Sequence, residues 1–340
     1  MGMAQEFLEP MPGFELPRDA QILRWLRQGA WVPSELATQM GLDALGLHGA
    51  LEGLRAAGFV LPLHPSLGLR LESAPDRLIG DDILSRMRHP WLREVRVFAR
   101  TASTNDLAMQ RGLQGARGPL AIFAEAQTSG RGRFGRAWDS QPRAGIWVSV
   151  LVRAWEPVAQ WHRMGSVAAL ALAQAVERVV PVRVRIKWPN DAWVGGRKVG
   201  GILVETGQDG ELGPFAVLGV GLNVNQESFP EELRDKACSL RMACGLGVDR
   251  TALAAAFLDE LGFLLPRMGR GFEGVLEGLR NRSVLLGGAV RLETGGGSVS
   301  GVAEDLDGEG RLLVRMPDGE VRICSAGEVS TQAFGLRVCG

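Results

Sequence analysis

Lysine is almost missing from this chain of 340 residues. Only Lys187, Lys198 and Lys236 stand beside 35 arginines, and these 38 bases meet 38 acids, for a formal net charge of zero. With neither sign in excess, no global field draws the molecule onto nucleic acid or anionic lipid, so any such binding must be local. Cysteine is scarce as well. Cys238, Cys244, Cys324 and Cys339 are scattered and form no CxxC pair, which excludes a disulfide scaffold and a zinc pattern and fits a reduced cytoplasm. Long apolar runs are lacking too. The N-terminus has no basic start followed by an apolar stretch, and the helical run 167–180 is interrupted by Gln174 and Glu177, so neither export nor a membrane span is expected. No GxxxxGK[ST] occurs, which excludes a P-loop. Where lysine is so rare, a retained one points to a site that needs a compact ammonium, and Lys187 and Lys198 lie close together.

What is present is ordinary globular composition, 46% apolar and 22% charged, in a length that suits two or three domains. Residues 1–17 hold Pro10, Pro12 and Pro17 without periodicity and read as a leader. Residues 18–71 read as three short helices and two small strands. Gly29 stops the first helix, Ser34 caps the second and Asp43 starts the third, and strands 59–63 and 67–71 flank His64-Pro65-Ser66, a winged helix-turn-helix pattern. Residues 72–82 read as a linker. Over 83–282, strand-like runs at 95–98, 120–124, 145–152, 182–188, 199–205 and 216–224 follow one another with few helices between them. The clearest helices are 161–180 and one capped by Asp249. This predicts a mixed sheet rather than a doubly wound one. Residues 283–333 carry short β-type runs at 284–286, 289–292, 312–315 and 321–324. Asp307-Gly308 and Asp318-Gly319 between them favour type I′ turns, and the whole reads as a small β-barrel-like domain.

Four segments carry chemistry. Gly130-Arg131-Gly132-Arg133-Phe134-Gly135 matches GxGxxG literally, but Arg136 to Pro142 has no helical period, so it cannot be a dinucleotide fingerprint. It reads either as an anion-binding loop able to close over a charged ligand or as a solvated or RNA-binding Arg/Gly loop. The surrounding residues 85–143 hold eleven arginines against four acids, so this part of a neutral protein is electropositive. Lys187-Trp188-Pro189-Asn190-Asp191 ends a strand. A hairpin about Gly195-Gly196 pairs Trp193 with Lys198 and Asp191 with Gly200, which puts Asp191 and Lys198 on one face. That pair is either a plain cross-strand ion pair or a device holding an anionic acyl group and an incoming amine. In Ser103-Thr104-Asn105, Thr104 is either a helix N-cap or part of a reader of a small polar ring. Gly219 to Asn225 ends a strand where glycines let a backbone approach a ligand, or simply turn.

Taken in order, these segments with Gln127 and Trp138 resemble the biotin protein ligases, densely over 97–225, and the family's helix-turn-helix front and small β end extend the likeness over nearly the whole chain. The resemblance implies an α+β fold with a central mixed-sheet ligase domain, an N-terminal winged-helix-like domain and a C-terminal SH3-like β-barrel. It implies a reaction of biotin with ATP and Mg²⁺ to biotinyl-5′-adenylate, then transfer to a lysine of the biotin carboxyl carrier protein of acetyl-CoA carboxylase. On the matching positions, Lys198, Asp191 and Arg133 are expected to be catalytic. Ser103, Thr104, Asn105, Gln127, Gly130, Arg131, Arg133, Lys198 and Gly201 are expected to meet biotin. Arg131, Arg136, Trp138, Lys187, Asn190 and Asn223 are expected to meet ATP. No metal ligands are assigned. A homodimer is left open. DNA binding is doubtful, because the third front helix offers only Arg55 against Asp43 and Glu52, and the wing only Arg70. No Met-Lys-Met occurs, so the chain is not expected to be the biotin acceptor. The rivals are a lipoate-type ligase, expected to lack the Gly-Arg loop, and a biotin-sensing regulator, which needs no acceptor-orienting carboxylate.

Overall fold

The computed structural model describes residues 15–153, 157–294 and 297–330; most of the expected leader lies outside these residues. At the front, α1 (Arg18–Gln28), α2 (Pro33–Gln39) and α3 (Ala44–Ala56) precede the two-residue strands β1 (Leu63–His64) and β2 (Gly68–Leu69). Ile22, Leu23 and Leu26, Leu36, and Leu47, Leu51 and Leu54 recur at helical spacing and close on one another as a separate small core. Asp43, where the third helix was expected to start, caps α3 and accepts from the backbone N–H of Gly46. Ser34 does not cap α2. Val32 holds that place, and Pro33 follows at the first helical position, where a missing N–H loses no partner. The wing is shorter than read: its ladder pairs Leu63 with Leu69 and His64 with Gly68, and Trp31 bridges to Leu69.

α4 (Gly80–Arg86) begins inside the stretch read as linker. It has weak helical signals of its own and is held from outside, because Arg24 of α1 donates to the carbonyls of Leu84 at 3.0 Å and Met87 at 2.8 Å. Then come β3 (Glu94–Phe98), α5 (Thr104–Leu113), β4 (Leu120–Ala124), β5 (Gly145–Arg153), α6 (Met164–Val179), β6 (Arg185–Lys187), β7 (Asp191–Val194), β8 (Arg197–Asp209) and β9 (Gly213–Asn223), followed by α7 (Leu240–Cys244), α8 (Arg250–Leu264) and α9 (Phe272–Arg280). The seven strands run in the order β3-β4-β5-β9-β8-β7-β6, with β3 and β4 parallel and the other neighbours antiparallel, the mixed sheet expected. The strand read at 182–188 shrinks to three residues. The backbone N–H of Val184 goes to the Glu177 carboxylate at the end of α6 instead of to the sheet.

Alternation decides the two faces of the sheet. Ile146, Val148, Val150 and Val152 of β5 and Ala216, Leu218, Val220 and Leu222 of β9 share one face and join the core that holds α6 and α8. On the other face Leu151, Phe215 and Val217 pack with Ala108 of α5. Beyond α5 that face stays open, and the site lies there.

The C-terminal strands β10 (Ala289–Thr294), β11 (Gly297–Leu306), β12 (Leu312–Arg315), β13 (Val321–Cys324) and β14 (Glu328–Ser330) pair antiparallel in the order β13-β12-β11-β10-β14. Among the described residues no ladder joins β13 to β14, so the expected barrel is an open five-stranded sheet. The run 284–286 is not one of its strands: Val284 donates to Ile186 of β6 and seals the edge of the large sheet. The Asp-Gly turns are not type I′, since positive φ falls at Gly310 and Gly319 and not at two successive residues. Leu292, Ala303 and Val314 of this sheet belong to the same continuous core as α6 and α8. No helix among the described residues is long and apolar enough to cross a membrane.

Candidate active site

The open face of the large sheet is bare because three glycines meet there. Gly219 and Gly221 alternate on β9, and Gly201 of β8 lies directly opposite Gly221. An added Cβ would stand 2.1 Å from Asn105 Oδ1 at Gly219, 2.5 Å from the Trp138 ring at Gly221, and 3.2 Å from Lys198 Nζ at Gly201. The glycines therefore make a floor on which three functional side chains lie against backbone. Above it is a cleft of about 360 Å³ lined by every candidate residue except Gly130. Gly130 sits behind it: its Cβ would stand 2.8 Å from both Ser140 Oγ and the Trp138 carbonyl, so only glycine lets the base of the Arg loop close.

Uncharged groups gather at one end. Ser103 precedes α5, and Thr104 and Asn105 open the helix. Thr104 is not a cap, because its backbone N–H and its hydroxyl both donate to Gln127 Oε1, at 2.8 and 3.1 Å. Gln127 Nε2 donates to Ser140 Oγ at 2.9 Å. Ser149 Oγ lies 2.7 Å from Thr104 Oγ1 and 2.5 Å from Asn105 Oδ1. Asn105 Nδ2 donates to Glu205 at 2.6 Å. Thr104, Asn105, Ser140 and Ser149 are buried and, with half-buried Gln127 and Glu205, hydrogen-bond one another, which fixes their orientation.

Charged groups gather at the other end. Lys198 Nζ stands 2.7 Å from Asp191 Oδ1 and 5.3 Å from the centre of the Trp138 ring. The hairpin register differs from the one read from the sequence. A bulge at Val199 sets Asp191 opposite Gly201 and Ala192 opposite Gly200, so the Lys–Asp pair forms over glycine through a kinked strand. Lys187 lies over the Trp193 ring at 5.0 Å. The Gly-Arg segment makes one short 3₁₀ turn with Phe134 at φ 57° and opens no helix. Arg131 is clamped by Asp106 at 2.6 Å and Glu205 at 3.2 Å; against the opposing effect of burial, these hydrogen bonds hold its guanidinium pKa above the ordinary value. Arg133 donates to Asn190 Oδ1 at 3.2 Å, and Asn190 in turn bonds the Ile202 carbonyl. Asn223 accepts from Gln226 at 3.1 Å and donates to the Cys238 carbonyl at 3.3 Å. Among the described residues the buried Trp138 indole N–H has no hydrogen-bond partner, and its ring packs edge to face with that of Trp147.

The likeness to known proteins follows these positions. A model of the biotin/lipoate A/B protein ligase family matches residues 97–223, and one of the biotin protein ligase C terminal domain matches 285–331. The biotin--[acetyl-CoA-carboxylase] ligase of Mycobacterium tuberculosis is 38% identical over 273 residues, 78% of this chain and 96% of that protein. This chain belongs to the biotin protein ligases. Among other members, the bifunctional ligase/repressor BirA of Bacillus spizizenii is 30% identical over 86% of this chain and 91% of its own length. The Aquifex aeolicus biotin protein ligase, solved in complex with biotin and ATP, superposes with a TM-score of 0.61 at 27% identity, covering 70% of this chain and 98% of that one.

For a biotin protein ligase the sequence reading left out several residues that line the cleft or lie behind its walls. Glu205 holds both Asn105 and Arg131, Ser149 completes the polar end, and Phe229, Leu233 and Lys236 form a wall beyond β9. Lys236 had a signal: all three lysines of the chain line this one cleft. Glu205 had only its alternation with Leu203 and Gly201 on β8, which shows its face and not its partner. Gly327 and Val329 bring the C-terminal sheet to the rim.

Proposed function

We propose that the chain activates biotin with ATP and passes the biotinyl group to one lysine of the biotin carboxyl carrier protein of acetyl-CoA carboxylase. One observation carries the reading: an ammonium held at 2.7 Å from a carboxylate on a glycine floor, with a neutral hydrogen-bonding cluster on one side and a loop of arginines on the other. In the first step a biotin carboxylate oxygen attacks the α-phosphorus, a P–O bond forms, and the bond to the bridging oxygen breaks to release pyrophosphate. Two anions must approach, so a preorganised cation between them lowers the barrier more than it stabilises either reactant alone. Lys198 is that cation in this reading. Ser103, Thr104, Asn105 and Gln127 match the donors and acceptors of a ureido ring. Arg131 and Arg133 close over the acyl phosphate. Arg136, Lys187, Asn190 and Asn223 serve the nucleotide, and Trp138 stacks on adenine. In the second step the carrier amine attacks the acyl carbon and AMP leaves with the bonding pair. Asp191 has its second carboxylate oxygen available to orient that amine or take its proton once Lys198 has turned to the phosphate.

Among the described residues no three His, Cys, Asp or Glu side chains lie together as a metal site. A Mg²⁺ brought by the triphosphate would seek oxygen donors. The carboxamide oxygens of Asn190 and Asn223 are the neutral protein donors that would meet it, and the ion would offset phosphate charge. The test is pyrophosphate release from ATP with biotin or lipoate, followed by labelling of a purified carrier domain. Release with biotin and labelling of one carrier lysine are expected. Release with lipoate alone, or biotin binding with no turnover, would overturn the proposal.

A further inference from the structure

The hairpin between β11 and β12 reaches out of the C-terminal sheet and lands on the catalytic unit. Asp307 folds its tip, Oδ1 accepting the backbone N–H groups of Glu309 and Arg311, both at 2.9 Å. Gly310 closes the turn at φ +77°, which glycine adopts without strain. Both tip residues are then gripped. Glu309 accepts from Arg163 Nη2 at 2.7 Å and Nε at 3.0 Å and faces His162 Nε2 at 2.9 Å, an arrangement of charge-assisted bonds with defined direction. The Gly310 carbonyl accepts the indole N–H of Trp188 at 3.0 Å, and Trp188 is buried. Trp188 lies two residues before Asn190, which receives Arg133 of the loop, and three before Asp191, which holds Lys198. Neither Glu309 nor Gly310 lines the cleft, whereas Trp188 does; the two tip residues line an adjoining cavity together with Arg133 and Asn190.

We propose that this hairpin tip is a positioning strut for the nucleotide half of the site. It fixes the Trp188 indole, and through it the turn that carries Asn190 and Asp191 and anchors the Arg loop. Glu309 is a positioning residue, since it lies outside the cleft and acts on the reaction through Trp188 and the turn that follows it. The biotin half rests on Thr104, Gln127 and Ser149, whose hydrogen bonds run among α5, β5 and the segment after β4 and do not involve the hairpin. The strut therefore predicts an asymmetric defect. What occupies the two halves rests on the ligase reading above; the mechanical link does not.

The experiment uses the full chain with Trp188→Phe, which keeps an aromatic ring and removes the N–H, and Glu309→Gln, which keeps volume and removes the charge. Both should raise the KM for ATP and speed escape of the adenylate by about three- to tenfold, the weight of one or two lost hydrogen bonds, with the KM for biotin unchanged. Without any ligand, amide hydrogen exchange should quicken over 188–191 and 131–137 and stay unchanged over 103–113. An active wild type whose variants keep normal ATP kinetics and normal exchange would overturn the strut. Equal losses for biotin and ATP, or exchange quickened throughout the chain, would overturn it as well, leaving general destabilisation. A wild type that releases no pyrophosphate with biotin would sink the ligase reading, and the exchange comparison would still decide the strut.

Discussion

At the scale of the residue, the site depends on what is small as much as on what is charged. Lys198 lies between Asp191 and the Trp138 ring, close over Gly201, where an added Cβ would press on its ammonium at 3.2 Å. Lys198→Ala should cut biotin-dependent pyrophosphate release by about 10²–10³, the usual cost of one preorganised donor at developing charge. Near-normal turnover in a continuous pyrophosphate assay would refute its role. Lys198→Arg should be nearly as poor, because a planar fork does not fill a point-charge position. Gly221→Ala tests the floor itself. Its Cβ would stand 2.5 Å from Trp138, so the ring must lift. ATP binding should weaken about tenfold, in line with overpacking costs, while biotin binding holds. Calorimetric titration of each ligand separates the two, and equal affinity for ATP in variant and parent would remove Trp138 from the nucleotide pocket.

Elements act by where they end. The Gly-Arg segment is a loop because Arg133 to Gly135 completes one 3₁₀ turn and Phe134 departs into left-handed geometry; backbone bonds pin its base, from Gly132 N–H to the Arg136 carbonyl at 2.8 Å and from Trp138 N–H to the Gly130 carbonyl at 2.9 Å, and side chains hold its tip. Arg133, bonded to Asn190 and set at 5.0 Å over Phe134, is one of its anchors. Arg133→Gly should leave adenylate formation largely intact yet let the product escape, seen as labelling of bystander proteins added to the assay. Labelling confined to the carrier would mean the loop is no lid. α8 shows the same logic in a structural role. Asp249 caps it, accepting from Ala252 N–H at 3.0 Å, and meets Arg86 of α4 at 2.5 Å. Burial pushes its carboxyl up, but the Ala252 N–H and the Arg86 guanidinium hold it below its ordinary value. Because the folded pKa lies below the unfolded one, the stabilisation is present at neutral pH and is lost as pH falls below about 4 and through the folded value. Asp249→Ala should cost about 1 kcal/mol at pH 7 from the cap, and Asp249→Asn less. For Asp249→Asn the deficit against the parent in urea unfolding should shrink at pH 3; a deficit that persists there would rule out the carboxylate as its source.

On the scale of the whole molecule, the front unit keeps its own core while the C-terminal sheet shares that of the ligase unit. The front unit is tied down through Arg24 and Arg27 of α1 on α4. Its outer face is poor in cations. α3 exposes Leu45 at 77%, the wing exposes Leu63 at 60% and Leu67 at 57%, and Arg55 is spent on Glu52 at 2.7 Å and the Leu61 carbonyl at 2.8 Å. Arg70 of the wing stands 3.6 Å from Glu72. A DNA duplex is held by phosphate neutralisation and read by Arg, Lys, Asn or Gln along the inserted helix, and this face supplies almost none. Binding to DNA upstream of biotin-synthesis genes should therefore be weak and without sequence preference, even with biotin and ATP present. Salt-sensitive nanomolar binding in a gel-shift titration would contradict this.

Local signals were legible where one residue pattern suffices. The apolar runs of β5 and β9, the bounds of β4, the start of α3 at Asp43, the cap Asp249 and the refusal of Arg136 to Pro142 to form a helix all follow from residue pattern and turn chemistry. Most of the residues that line the cleft were assigned to it through the resemblance that the motifs carry in order, while Lys236, Phe229 and Leu233 were not. Tertiary structure alone decided the rest. The bulge at Val199 sets the register of the Lys198–Asp191 pair, and a hairpin read by counting places it one residue off. α4 is a helix because Arg24 donates to the carbonyls at its end, and β11, with Gly297 and Gly301 in its run, is a strand because β10 and β12 pair with both its edges. Lys236 reaches the cleft through the contact of its carbonyl with Lys198, and Trp188 through the Gly310 carbonyl of a sheet far along the chain. In each case the partner lies outside any local window, and a hydrogen bond between distant segments adds its free energy only once the whole fold has brought them together.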